Sequence, residues 1–152
     1  MFGSMKRGAN AYANIGVETG VIAASPHKLI TMLFDGALVA IALGKKSMGE
    51  GNIKDKGESI TKAILIIDNG LRASLNKEVG GELALNLDSL YEYMSRRLFE
   101  ANATNNPAIL DEIHGLLDDI RSAWEQIGPN AAQSAPQMAF LQDSAQPSFA
   151  KA

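Results

Sequence analysis

Apolar residues recur every three to four positions in four separate stretches of the chain. That is the period of a helix buried along one side. Alternating β-branched and aromatic runs closed by hairpin turns are missing. The breaks between the stretches are short, so neighbouring helices should run antiparallel. The pattern therefore predicts an all-α protein, an antiparallel four-helix bundle.

The ends of the helices carry their own signals. The first opens at Ser25-Pro26. Serine caps the free amides, and proline sits where its missing N–H leaves nothing unpaired. It closes near Gly49-Glu50-Gly51, where glycine permits a left-handed stop. A second helix follows Asn52 and runs to about Asn76, weakened at Gly57 and at Asn69-Gly70. Gly80-Gly81 breaks the chain before a third helix that reaches about Asn102. The fourth starts at Asn106-Pro107, with Asp111 and Glu112 near the positive end of its dipole, and stops at Gly128-Pro129. The bundle thus occupies residues 25–128. Residues 1–24 read as a short N-terminal capping segment or small helix. Residues 129–152 are rich in Ala, Gln, Ser and Pro, a composition that predicts a mobile C-terminal tail. Met138, Phe140 and Leu141 form its apolar cluster.

The width of each stripe is more informative than its existence. In the fourth helix Ile109, Leu110, Ile113, Leu116, Leu117, Ile120, Ala123, Trp124 and Ile127 fall within an arc of about 140°. In the first helix the apolar residues cover roughly 260°, leaving a narrow strip of Lys28, Thr31, Asp35, Ala42 and Lys46. Its segment GALVAIALG, Gly36 to Gly44, has no polar side chain at all. The second helix has a stripe of Ile53, Ile60, Ile64, Ile67, Leu71 and Leu75, with Leu65 and Ile66 off it. In the third, Leu83, Leu87, Leu90, Tyr91, Met94 and Leu98 form the stripe, with Leu85, Tyr93 and Phe99 off it. Two explanations account for the excess on the first helix. Either it is central and covered on two sides by its own chain, or part of its surface is a groove for another polypeptide. The two combine if a segment of the protein fills the groove until a partner displaces it, and Met138, Phe140 and Leu141 are one candidate for that segment.

Composition narrows the function. The 152 residues carry a net charge of -3 with acidic and basic residues mixed along the chain. No basic block points to nucleic acid. The apolar runs fall short of the roughly 20 residues that span a bilayer, and the N-terminus lacks the apolar core of a secretory signal, so no membrane insertion is expected. Cysteine is absent, which excludes disulfides and fits a cytoplasmic location. No metal, cofactor or catalytic constellation stands out. Asp111 and His114 have the spacing found in carboxylate-bridged di-metal bundles, but the motif occurs once and on the charged face. His27, in a first helical turn, is expected at the surface. The adjacent pairs Asp111-Glu112 and Asp118-Asp119 diverge on a helix and cannot share a proton. Phosphate loops, nucleophile elbows and zinc-protease motifs are missing. Tyr91 falls on the core stripe. Tyr93 falls off it, and tyrosine favours binding surfaces. Tyr12 lies in the N-terminal segment, where it would anchor that segment or contact a partner.

Three stretches together carry a family resemblance: AYANIGVETGVIAASPHKLITMLFDGAL from Ala11 to Leu38, LNKEVGGELALNLDSLYEYMSRRLFEAN from Leu75 to Asn102, and the closing Ala123-Trp124. In order and spacing the chain resembles the FliS family of flagellar secretion chaperones from about Tyr12 to Ile127. Phe34 stands where that family usually has tyrosine. The resemblance implies a non-enzymatic, cytoplasmic four-helix bundle without cofactors. It implies binding of the C-terminal segment of flagellin, prevention of premature polymerisation, and delivery to export gate components of the flagellar type III apparatus. It also implies an N-terminal segment that can cover part of the binding surface and move aside. The candidate contacts are Tyr12, Leu29, Leu33, Phe34, Leu65, Ile66, Leu85, Tyr93 and Phe99, with the protein a monomer or weak homodimer. The rivals are a homodimeric helical adaptor, whose surplus surface is its own dimer interface, and a metalloenzyme built within the bundle.

Overall fold

In the computed structural model, which describes residues 25–128, four helices form, and the first, second and fourth start on the caps the sequence predicts. Helix α1 (Pro26–Gly49) starts on Ser25, whose Oγ accepts the Lys28 amide at 3.1 Å. It is closed by a turn in which Gly51 takes φ 73°. Helix α2 (Ile53–Ile66) starts on Asn52, whose Oδ1 accepts the Asp55 amide at 3.1 Å. It runs through Gly57 without a break and then loosens into a π-helical turn, Ile67–Leu71, and a 3₁₀ turn, Arg72–Ser74. The loosening falls on Asn69-Gly70, the weak point visible in the sequence.

Helix α3 (Lys77–Thr104) begins a turn earlier than expected, capped by Asn76. Its interruption is confined to Gly81, at φ 57° and ψ −138°, a conformation that a side chain would strain. Asn105 ends it in the left-handed region. Helix α4 (Pro107–Ile127) is capped by Asn106 and stopped at Gly128.

The helices form a ring in which α1 packs on α2 and α4, and α3 packs on the same two. Cross-links confirm antiparallel neighbours. Asp35 pairs with Arg121 while Lys45, further along α1, pairs with Asp111, earlier in α4. Lys56, buried at the start of α2, donates to the Asn102 carbonyl at 3.0 Å and to Asn105 at the end of α3. The core is aliphatic and aromatic, with Phe34, Ile41, Ile60, Met94, Leu110 and Trp124 among its fully buried members.

Small residues set how closely α1 and α2 approach. Gly36, Ala40 and Gly44 repeat every fourth residue along α1. At Gly44 an added Cβ would lie 2.9 Å from Ile60 Cγ1, and at Gly70 one would lie 3.0 Å from Leu33 Cδ2. The packing also turns α2 relative to its sequence stripe. Its buried residues Ile60, Ala63, Ile66 and Ile67 centre roughly 70° away from the arc the sequence suggested. That rotation brings Ile66 into the core and leaves Ile53 74% exposed.

Two further expectations are corrected. His27 is buried, not at the surface. Its ring stacks on Trp124 at 4.7 Å between centroids, and its Nε2–H donates to the Trp124 carbonyl at 2.8 Å. The Trp124 indole N–H returns a bond to the His27 carbonyl at 3.0 Å. Thr31, placed in the polar strip of α1, is buried too, its hydroxyl donating to the same His27 carbonyl. By length and composition α1 could cross a membrane. Here it lies between α2 and α4 with one flank in the core, as the central helix of a bundle does.

Candidate partner-binding surface

The core uses one side of α1, centred on Phe34, Ala37 and Ile41, and polar contacts to α4 use another through Asp35 and Lys45. What remains is an apolar row edged by the exposed Lys28 and Lys46. Leu29, Met32, Gly36, Val39 and Leu43 follow one another at spacings of three, four, three and four residues. This is the spacing of a seam that receives another helix. Val39 is 58% exposed and Leu43 51%. Leu29, Met32 and Gly36 are half-buried.

Beside the seam lies a groove of ≈ 310 Å³. Gly36 and Ala40 line it from α1 together with Val39 and Leu43, while Ser59 and Lys62 of α2 form the opposite wall. Asp35 also borders it. The close approach at Gly44 gives the depth, since short side chains leave a trough where two helices touch. Leu65, 42% exposed, stands one turn beyond Lys62 on α2.

The other expected contacts have varied fates. Leu33 is half-buried against Gly70. Phe34 and Ile66 are sealed in the core at 1% and 5% exposure, so neither offers surface to a partner. Leu85 and Phe99 are exposed on α3, at 52% and 69%. They lie about 21 Å apart along that helix, separated on their face by Ser89, Glu92 and Arg96. Tyr93 is half-buried and held by charge. Its hydroxyl donates to Glu112, which also accepts from Arg97 at 2.9 Å. The bond to Glu112 pushes the Tyr93 hydroxyl pKa up, and the bonds from Tyr93 and Arg97 hold the Glu112 carboxyl below its usual range. Tyr12 and the cluster Met138, Phe140 and Leu141 lie outside the described residues.

Val39 and Leu43 were not singled out from the sequence. They sit within the broad apolar arc of α1, and nothing in that arc told the core side from the open side.

Among the described residues no three His, Cys, Asp or Glu side chains are grouped to hold a metal. Asp111, the carboxylate of the sequence pair with His114, is engaged by Lys45 at 2.8 Å. Tyr91 is fully buried, and desolvation raises its pKa above the ordinary tyrosine value.

Comparison with known proteins agrees with the sequence motifs. The family model described as flagellar protein FliS matches residues 8–131. The flagellar secretion chaperone FliS of Salmonella typhimurium is 50% identical over 125 residues, covering 82% of this chain and 93% of its own. The Escherichia coli protein of the same name is 47% identical, over 79% of this chain and 88% of its own. The Bacillus subtilis one is 35% identical, over 72% and 80%. A bundle with a surplus apolar seam thus meets a match over most of its length, and the chain belongs to the FliS family of flagellar secretion chaperones.

Proposed function

We propose that the seam and groove on α1 and α2 receive the C-terminal segment of flagellin. The protein would hold this segment in the bacterial cytoplasm, block its premature polymerisation, and release it to the flagellar type III export gate. The observation that carries the reading is the apolar row Leu29, Met32, Gly36, Val39 and Leu43, half-buried at its start and open at Val39 and Leu43, on the side of α1 away from the core. Filament subunits assemble through apolar surfaces, so a segment bound here is unavailable for assembly. Membership in a family of secretion chaperones supports the same direction.

The bound segment packs a helical piece along the seam, and extended pieces reach further apolar positions. Leu33 and Leu65 flank the groove. Leu85 and Phe99 offer two separate apolar contacts on α3 for an extended segment that wraps the bundle, with Tyr93 on the neighbouring α4-facing side. Full burial of such a side chain is worth about 1.5–3 kcal/mol, so completing the cover of four or five half-exposed ones brings about half of that each, before association and ordering costs. The preformed groove places most of the ordering cost on the partner. Binding of this kind uses neither nucleotide nor metal.

Titration with a C-terminal flagellin segment of about 40 residues, long enough to bury the area typical of coupled folding and binding, tests the reading. The expected result is a one-to-one complex of micromolar or better affinity. Absence of binding refutes it. The homodimer alternative is read by light scattering: a concentration-independent dimer that loses the seam to its own second copy would replace the proposal.

A further inference from the structure

We propose that residues 138–141, Met-Ala-Phe-Leu, seat in the α1–α2 groove of the same molecule and act as a built-in competitor of the incoming partner. This rests on the groove being the partner site. It goes further by assigning a regulatory role to the C-terminal stretch, of which residues 132–152 lie outside the family match.

The root of that stretch is fixed by the fold. The stacked His27–Trp124 pair holds the last turn of α4 against the first turn of α1, and the chain leaves at Gly128 just beyond it. Val39 lies about 18 Å along α1 from His27. The chain from Gly128 to Met138 spans at most about 33 Å when extended. Reach is therefore ample.

The composition fits the groove. Residues 129–137, Pro-Asn-Ala-Ala-Gln-Ser-Ala-Pro-Gln, form an uncharged tether. Three large apolar side chains then fall within four residues. Asp143, two residues beyond Leu141, is the only acidic residue from 129 to 152. Lys62 on the groove wall has no ion pair among the described residues, and a carboxylate arriving beside the apolar cluster would supply one. The N-terminal segment starts from the same end of the bundle, but its large apolar residues, Phe2, Met5, Tyr12, Ile15, Val17, Val21 and Ile22, are spread over more than twenty positions. A short tether gives an effective concentration in the millimolar range, so even a weak intrinsic contact is populated.

The cysteine-free chain makes a direct test simple. In the full-length protein Ser59→Cys is combined with Gln142→Cys, positions that leave every apolar contact intact. Under mild oxidation at high dilution the pair should form an intramolecular disulfide at least tenfold faster than Asp118→Cys with Gln142→Cys, which lies nearer the tail's root. Adding Met138→Ser, Phe140→Ser and Leu141→Ser should abolish the difference. Equal rates for the two pairs overturn the proposal. So does faster closure of Ser59→Cys with Ala11→Cys, which makes the N-terminal segment the occupant, or a disulfide that forms only between molecules. In a separate arm, the triple serine variant without added cysteine should bind the flagellin segment several-fold more tightly than the parent. Unchanged affinity overturns the competitor role; if the cysteine pair still closes rapidly, the tail sits in the groove and the partner binds elsewhere, so the partner-site reading falls with it.

Discussion

Replacing Val39 and Leu43 together by alanine separates the partner surface from the core on a single helix. The double change removes five carbons. At about 0.8 kcal/mol per carbon fully buried, the total at stake is about 4 kcal/mol. The two side chains are 58% and 51% exposed, so roughly half of that burial is left for a partner to complete. Made in the Met138→Ser, Phe140→Ser, Leu141→Ser background, where no internal competitor offsets the loss, the double change should therefore weaken the complex by about 2 kcal/mol, near 25-fold in Kd. The folded state loses the other half, partly offset by about 0.5 kcal/mol because alanine favours a helix over valine. Ile41→Val, on the same helix but 1% exposed, is the matched control. It should cost about 0.5–1.5 kcal/mol of folding stability and leave affinity alone. Calorimetric titration with the flagellin segment gives the affinities, and urea unfolding gives the stabilities. The reasoning fails if the double variant, still folded, binds within threefold of the parent. It fails equally if Ile41→Val weakens binding as much.

The other predictions follow from the same structure. Trp124→Phe keeps an aromatic ring but removes the indole N–H bond to the His27 carbonyl, and unfolding should show a loss of about 2 kcal/mol from the bond and the vacated volume, with little change in partner affinity. Phe99→Ala removes a side chain that is 69% exposed, so folding stability should barely move, while a segment that wraps onto α3 would bind about 5- to 30-fold more weakly, at about 1–2 kcal/mol. The Arg72 guanidinium holds the Asp88 carboxyl below the usual carboxylate range, and Tyr93 with Arg97 does the same for Glu112. Carboxylates held low stabilise the fold above their unfolded pKa and lose that contribution as pH falls through the folded value. The urea midpoint should drop between about pH 5 and pH 3, and Asp88→Asn should flatten that slope.

Helix ends were legible because their chemistry is local. Ser25, Asn52 and Asn106 each cap the helix that follows, and Asn69-Gly70 loosens α2 where the sequence is weakest. The core faces of α3 and α4 were legible too, since a narrow stripe admits one orientation. Orientation failed where the apolar arc was broad. On α1 an arc of about 260° allows several core faces. The close approach of α2 at Gly44, where an added Cβ would lie 2.9 Å from Ile60 Cγ1, accompanies a packing in which Ile66 faces inward. Composition alone did not reveal that consequence. His27 and Thr31 failed for a related reason. They look like surface residues until Trp124, almost a hundred positions away, supplies a stacking face and a carbonyl for the histidine.

The same small residues link packing to binding. Had α1 carried large side chains at Gly36, Ala40 and Gly44, α2 would stand further off and those side chains would fill the space between the helices. The trough would then close, and Val39 and Leu43 would stand as two isolated apolar residues of no consequence on a bundle surface. With glycine and alanine there, the helices meet backbone to side chain, the core closes on one flank, and the other flank is a grooved, apolar strip. Folding gains nothing from leaving that strip open, since covering it would add stability. Its persistence beside a complete core is therefore best understood through a second polypeptide. Whether that polypeptide arrives from outside or swings over from residues 138–141, the surface has to remain vacant enough to exchange one for the other.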